Sequence, residues 1–106
     1  MNELVTKYCN ARGIDPSEVI NKRTDQKTVI RRNAFIYLNW RARKGQISYE
    51  NPKSKVLSQI GREFGMKRNT IHEKIDQFET ELDLYEGNRK VLEEIEGVLS
   101  ETKNLP

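Results

Sequence analysis

The chain has 106 residues, of which 35% are hydrophobic and 33% charged, and a formal net charge of +3. This length suits one domain with a single modest core that needs no metal or disulfide cross-link. One cysteine excludes an intrachain disulfide and fits a reducing compartment. No apolar run approaches the ~20 residues that span a bilayer, and no signal peptide is visible. The sequence therefore predicts a cytoplasmic protein with no membrane partner.

Charge is distributed unevenly along the chain. Residues 1–74 hold 16 Lys and Arg against 7 Asp and Glu, a net of +9, whereas residues 75–106 hold 3 against 9, a net of −6. Such a split predicts a body that binds a polyanion and an acidic end that repels DNA or meets a basic partner. The alternative is an uneven, solvated surface with no binding role.

Apolar residues recur at spacings of three and four, which predicts an all-α fold of about five to six helices in one domain, residues 1–106. The first helix carries Tyr8 and Cys9 on its apolar face and ends at Gly13. A short second helix follows, with Asp15 as its N-cap and Pro16 as its first residue. Segment 21–27 contains no apolar residue and is predicted to be an exposed basic loop.

The third predicted helix ends at Gly45 and places Arg31, Arg32 and Arg43 outside its apolar stripe. That stripe consists of Ile30, Ala34, Tyr37, Leu38 and Ala42. Asn51 then predicts the cap of a fourth helix, with Pro52 as its first residue.

The fourth and fifth helices are joined by a short turn that contains Gly65 and Met66. Their apolar faces are Val56, Leu57, Ile60 and Phe64 on the fourth, and Ile71, Ile75, Phe78 and Leu82 on the fifth. Two helices joined by a glycine turn with an apolar plug have the layout of a helix-turn-helix. A last helix begins near Asn88, and residues 100–106 are predicted to be a frayed tail.

The start of the fifth helix carries side chains suited to the DNA major groove. Arg68 can bond O6 and N7 of guanine, and Asn69 can bond N7 and N6 of adenine. His72 occupies a further outer position. Lys67 and Thr70 lie near the helix N-terminus, where a phosphate can be held. Helix pairs with a glycine turn also occur in folds that bind no nucleic acid.

Four stretches, LVTKYCN, EVINKR, RRNAFIYL and IGREFG, follow one another between Leu4 and Gly65, and the predicted recognition helix and final helix follow them up to about Leu99. In this order they resemble the C-terminal duplex-DNA-binding domain of the bacterial replication initiator DnaA, which has a Trp-repressor-like helix-turn-helix. The last stretch is close to the family's Ile-Gly-x-x-Phe-Gly. The chain has no phosphate-binding glycine loop and no room for the initiator's ATPase module.

The resemblance implies DNA contacts for Lys22 and Arg23 in the basic loop, and for Arg32 and Asn33 at the start of the third helix. In the recognition helix the family's Asp-His pair is absent, and Thr24 replaces an expected loop arginine. The departures fall on specificity positions, so the resemblance implies a relative of the fold with a different target site. The stretch between the third and fourth helices is also longer than in the family.

The predicted function is sequence-specific binding of double-stranded DNA, regulating replication or transcription by site occupancy. The predicted DNA-binding residues are Lys22, Arg23, Lys27, Arg31, Arg32, Asn33, Lys67, Arg68, Asn69, Thr70 and His72. We expect no cofactor, no metal and no small-molecule substrate. With one histidine and no nucleophile–base pair, the sequence predicts no enzyme. The alternative function is a protein–protein interaction module that binds a partner through its C-terminal helix, along Val91, Leu92, Ile95, Val98 and Leu99.

Overall fold

The computed structural model describes residues 2–20 and 25–103, so Lys22, Arg23 and Thr24 lie outside the described residues. Within those ranges there are α-helices, one short 3-10 helix and no strand. The elements are α1 (Glu3–Arg12), α2 (Pro16–Ile20), α3 (Gln26–Arg43), a 3-10 turn (Lys44–Gln46), α4 (Lys53–Phe64), α5 (Arg68–Leu84) and α6 (Glu86–Lys103). The predicted all-α class is confirmed. No described helix is both long enough and apolar enough to cross a bilayer.

The first two helices begin and end where local signals place them. The Asn2 side chain accepts a backbone N–H of the first turn of α1, which ends at Gly13 with φ 68°. A positive φ favours glycine because a Cβ is strained there. Asp15 accepts the Ser17 N–H at 2.9 Å. Backbone hydrogen bonding from Ser17 lowers the pKa of this carboxyl.

α3 lies at the centre of the domain and packs against all five other α-helices. Phe35 and Ile36 are fully buried although neither belongs to the predicted stripe. Ala42, which does, is exposed. Arg32 was expected outside the stripe and is buried. Because α3 has neighbours on several sides, it buries much more than one stripe.

Two boundaries near the middle of the chain differ from expectation. α3 ends at Arg43, and Gly45 lies inside the following 3-10 turn. α4 begins one residue later than predicted, with Pro52 as N-cap. The Asn51 side chain instead donates to the Gln46 carbonyl oxygen at 3.1 Å.

The predicted basic loop, the start of the last helix and the predicted tail also differ from the structure. Asp25 caps α3 through Thr28, so Lys27 belongs to the helix and not to a loop. Only Tyr85 separates α5 from α6, which begins at Glu86 and not near Asn88. α6 extends through Lys103, so residues 100–103 are helical, while 104–106 lie outside the described residues.

A polar cluster ties the beginning of the chain to α3 and α4. The Asn2 side-chain nitrogen donates to Asn39 at 2.7 Å and to Glu63 at 2.9 Å. The Arg43 guanidinium donates to both oxygens of Glu63, at 2.5 Å and 2.8 Å. These hydrogen bonds from Arg43 are the main reason that the pKa of Glu63 is lowered. The cluster fixes the last turn of α4, immediately before the glycine turn.

Candidate nucleic-acid interface

The turn between α4 and α5 consists of Gly65, Met66 and Lys67. Gly65 has φ 66° and ψ 34°, and both its N–H and that of Met66 donate to the Gly61 carbonyl oxygen. Met66 is half-buried and packs against the core. A helix ended by glycine, a short turn with an apolar plug and a second helix are thus present as predicted.

Gly61 is a second glycine on which this turn depends; it belongs to the IGREFG stretch that resembles the family, but the sequence analysis gave it no structural role. A Cβ at Gly61 would fall well inside van der Waals contact of the Met66 carbonyl oxygen, and would lie 3.6 Å from Cγ1 of Ile71. The available signal was an isolated glycine within an otherwise regular helical pattern, which often marks close packing. Gly61 allows the turn to approach α4 closely.

The predicted recognition residues lie at the surface. Lys67, Arg68, Asn69 and His72 are exposed and Thr70 is half-buried, while the next residue of the helix, Ile71, is fully buried. The first turn of α5 has no side-chain N-cap. Its backbone N–H groups and these side chains therefore share one solvent-facing end of the helix.

Carboxylates limit how far this cationic surface continues along α5. Glu73 and Asp76 are exposed, and the Asp76 carboxylate lies 3.4 Å from Nδ1 of His72. Glu73 can accept a hydrogen bond from the amino group of cytosine, but near a phosphate it is unfavourable. A nucleic-acid contact would therefore be confined to about the first one and a half turns of α5.

The segment from residue 44 to residue 74 contains cations that form no ion pair with any described residue. They are Lys44, Lys53, Lys55, Arg62, Lys67, Arg68 and Lys74. The carboxylates of α6 lie elsewhere: Glu94 pairs with Arg12, and Glu96 with Arg41. The described carboxylates of α6 thus form no ion pair with the cations beside the turn.

The predicted residues on α3 occupy a different place. Lys27 is exposed, and the Arg31 guanidinium lies 6.0 Å from the centre of the Tyr8 ring. Arg32 and Asn33 are only 7% and 8% exposed. This burial leaves little of either side chain for a phosphate.

A surface cavity of about 630 Å³ lies between α3 and α5 and shows how the two helices are placed. It brings Gln26 and Asn33 of α3 together with Gln77 and Leu84 of α5. The start of α3 therefore lies beside the part of α5 from Lys74 to Leu84, which begins about 9 Å along the helix from Arg68 at 1.5 Å per residue. The predicted residues form two separated groups.

The described residues form no metal site, and the one cysteine among them is buried. No three His, Cys, Asp or Glu side chains in the described ranges come together as a metal site. Cys9 is fully buried, and burial raises the pKa of its thiol. A buried, protonated thiol is a poor nucleophile.

Comparison with known proteins identifies no relative, because no family model, no curated protein and no solved structure matches the chain. The likeness to the DnaA domain therefore stays a sequence-based expectation.

Proposed function

We propose that this protein binds double-stranded DNA through α4, the glycine turn and α5, and regulates replication or transcription by occupying its site. The main support is the exposure of Lys67, Arg68 and Asn69 at the start of a helix whose opposite face, with Ile71 and Ile75, is anchored in the core. A helix that is anchored in the core and presents, at its N-terminus, an amide and cations without an ion-pair partner among the described residues matches the chemistry of a major-groove reader.

The proposed contacts divide into base contacts and backbone contacts. Arg68 would bond guanine and Asn69 adenine, and each good bidentate pair discriminates against a wrong base by about 1–3 kcal/mol. Lys67, the Thr70 hydroxyl and the free backbone N–H groups of α5 would hold a phosphate, helped by the positive end of the helix dipole. These backbone contacts set the register and carry no sequence information.

Enrichment of bound duplexes from a random pool, followed by fluorescence-anisotropy titration at low salt, tests the proposal. We expect one preferred sequence that binds more tightly than its scrambled counterpart, with an affinity that falls steeply as salt rises. The enriched sequences would also show whether the site has two half-sites. The absence of binding to any duplex at low salt would end the proposal.

A second candidate function, a protein interaction module, is supported by a different surface from the one predicted. The predicted α6 surface packs inward, since Leu92 and Ile95 are buried in the core. At the α5–α6 junction, however, Leu84 is 67% and Tyr85 58% exposed. Adjacent exposed apolar side chains are typical of protein contacts. Sedimentation in high salt tests this: we expect self-association that Tyr85→Ser abolishes, and a monomer at all concentrations would argue against it.

A further inference from the structure

The segment between the 3-10 turn and α4 holds an aromatic side chain at the tip of a hydrogen-bonded turn. The Ser48 N–H donates to the Asn51 carbonyl oxygen at 3.1 Å, and the Asn51 N–H donates to the Ser48 carbonyl oxygen at 3.2 Å. Between them, Tyr49 is fully exposed, at 101%. Both the ring and the hydroxyl of Tyr49 are therefore available to a partner.

We propose that Tyr49 contacts the DNA backbone, donating its hydroxyl to a phosphate oxygen, while Lys53 and Lys55 neutralise neighbouring phosphates. This inference rests on the proposed function and adds a second contact to it, at the far end of α4 from the glycine turn. Tyrosine and lysine are both common phosphate ligands in protein–DNA complexes.

The position of α4 supports this contact. In a helix-turn-helix the first helix crosses the DNA backbone while the second enters the major groove. α4 has 12 residues, which corresponds to about 18 Å. With the recognition turn at one end of α4, the Tyr49 turn lies far enough away to meet the strand on the other side of a groove ~12 Å wide.

The charge of the stretch also favours a phosphate partner. Lys53 and Lys55 are exposed and in no ion pair with a described residue. The Lys53 ammonium lies 5.5 Å from the centre of the Trp40 ring, which holds its side chain on the domain surface. Glu50 is the only carboxylate between residues 44 and 62 and is set against four cations. The alternative partner for these lysines is an acidic segment of another protein.

Three variants test the inference by fluorescence anisotropy with the enriched duplex and its scrambled counterpart at several salt concentrations. Tyr49→Phe removes only the hydroxyl, so we expect the Kd to rise about three- to tenfold for both duplexes with an unchanged salt slope. Lys55→Gln should lower the salt slope by about 0.9. Lys90→Gln, at an exposed lysine of α6 that pairs with Glu86, should change neither.

The outcomes separate this inference from the proposed function. If the wild type binds DNA and Tyr49→Phe binds equally well, the Tyr49 contact is wrong and the proposed function stands. A loss confined to the enriched sequence would mean a base contact, which also overturns the inference. If the wild type binds no duplex, both fall.

Discussion

Charged side chains at the two ends of the domain have different partners. Where α1 meets α6, the Arg12 guanidinium lies 2.5 Å from Glu94, which also accepts the Tyr8 hydroxyl at 2.9 Å. Burial, and then this hydrogen bond, raise the pKa of Tyr8. Where α4 meets α5, Lys67 and Arg68 have no ionic partner among the described residues. The cation at the α1–α6 contact is thus paired within the chain, whereas the two cations at the α4–α5 turn are available to an external polyanion.

The exposed ion pairs at the α1–α6 contact contribute little to the free energy of unfolding. Exposed ion pairs such as Arg12–Glu94 contribute at most about 1 kcal/mol each. The packing of α6 is therefore stabilised mainly by burial of residues such as Ile95. The cationic end depends instead on close packing at the glycine turn and on the polar cluster around Glu63.

The largest expected effect comes from comparing one glycine from each end. Gly61→Ala forces a methyl group against the Met66 carbonyl, so we expect a loss of about 2–3 kcal/mol in the free energy of unfolding, and weaker DNA binding. Gly97→Ala in α6 meets open space and should stabilise by up to about 1 kcal/mol. Urea denaturation measures both. Equal stability of Gly61→Ala and wild type would contradict the described packing of the turn.

The second-largest expected effect is a loss of discrimination between DNA sequences when the exposed start of α5 is changed. Arg68→Ala and Asn69→Ala should each remove about 1–3 kcal/mol of discrimination between the preferred and scrambled duplexes. Because both side chains are exposed, thermal stability should not change. Lys90→Ala, which breaks an exposed pair with Glu86, is the control and should leave Kd values unaltered. Undiminished base preference in both α5 variants would place recognition elsewhere.

The polar cluster provides a test that depends on pH. The pKa of Glu63 is lowered below its ordinary value of 4.5, so its carboxylate stabilises the fold fully above that value and less as pH falls through the lowered one. At pH 7 we expect Glu63→Gln to cost about 1–3 kcal/mol. In urea denaturation this difference should shrink in acid. Glu79→Gln, at an exposed position of α5, should show neither effect. If the difference in unfolding free energy between wild type and Glu63→Gln did not change with pH, the Glu63 carboxylate would not stabilise the fold through its charge.

The smallest expected effect concerns single cations. Lys67→Gln should weaken binding to all duplexes alike and lower the slope of log K against log salt by about 0.9. Lys90→Gln removes a lysine of α6 that is paired with Glu86 and should leave the slope unchanged. Anisotropy titrations across a salt series measure both, and identical slopes for the two variants would remove Lys67 from the interface.

The sequence predicted the buried face of α5 better than that of the central helix α3. Ile71 and Ile75 mark the buried face of α5 because one side of that helix packs and the other meets solvent. On α3 the same logic misplaced Arg32, since a helix with neighbours all round buries polar residues too. Asn33 is buried in the same way. The spacing of apolar residues along one helix does not show how many other helices pack around it.

The sequence by itself determined the turn at Gly65 and the cationic start of α5, because glycine backbone freedom, capping and apolar period are local properties. Only the tertiary structure decided which cations stay without an internal partner. Arg12 meets Glu94 across 82 positions of chain, and Lys67 meets no carboxylate among the described residues. That outcome depends on which helices pack together, and a carboxylate distant in sequence neutralises a cation only when packing brings the two within a few ångströms.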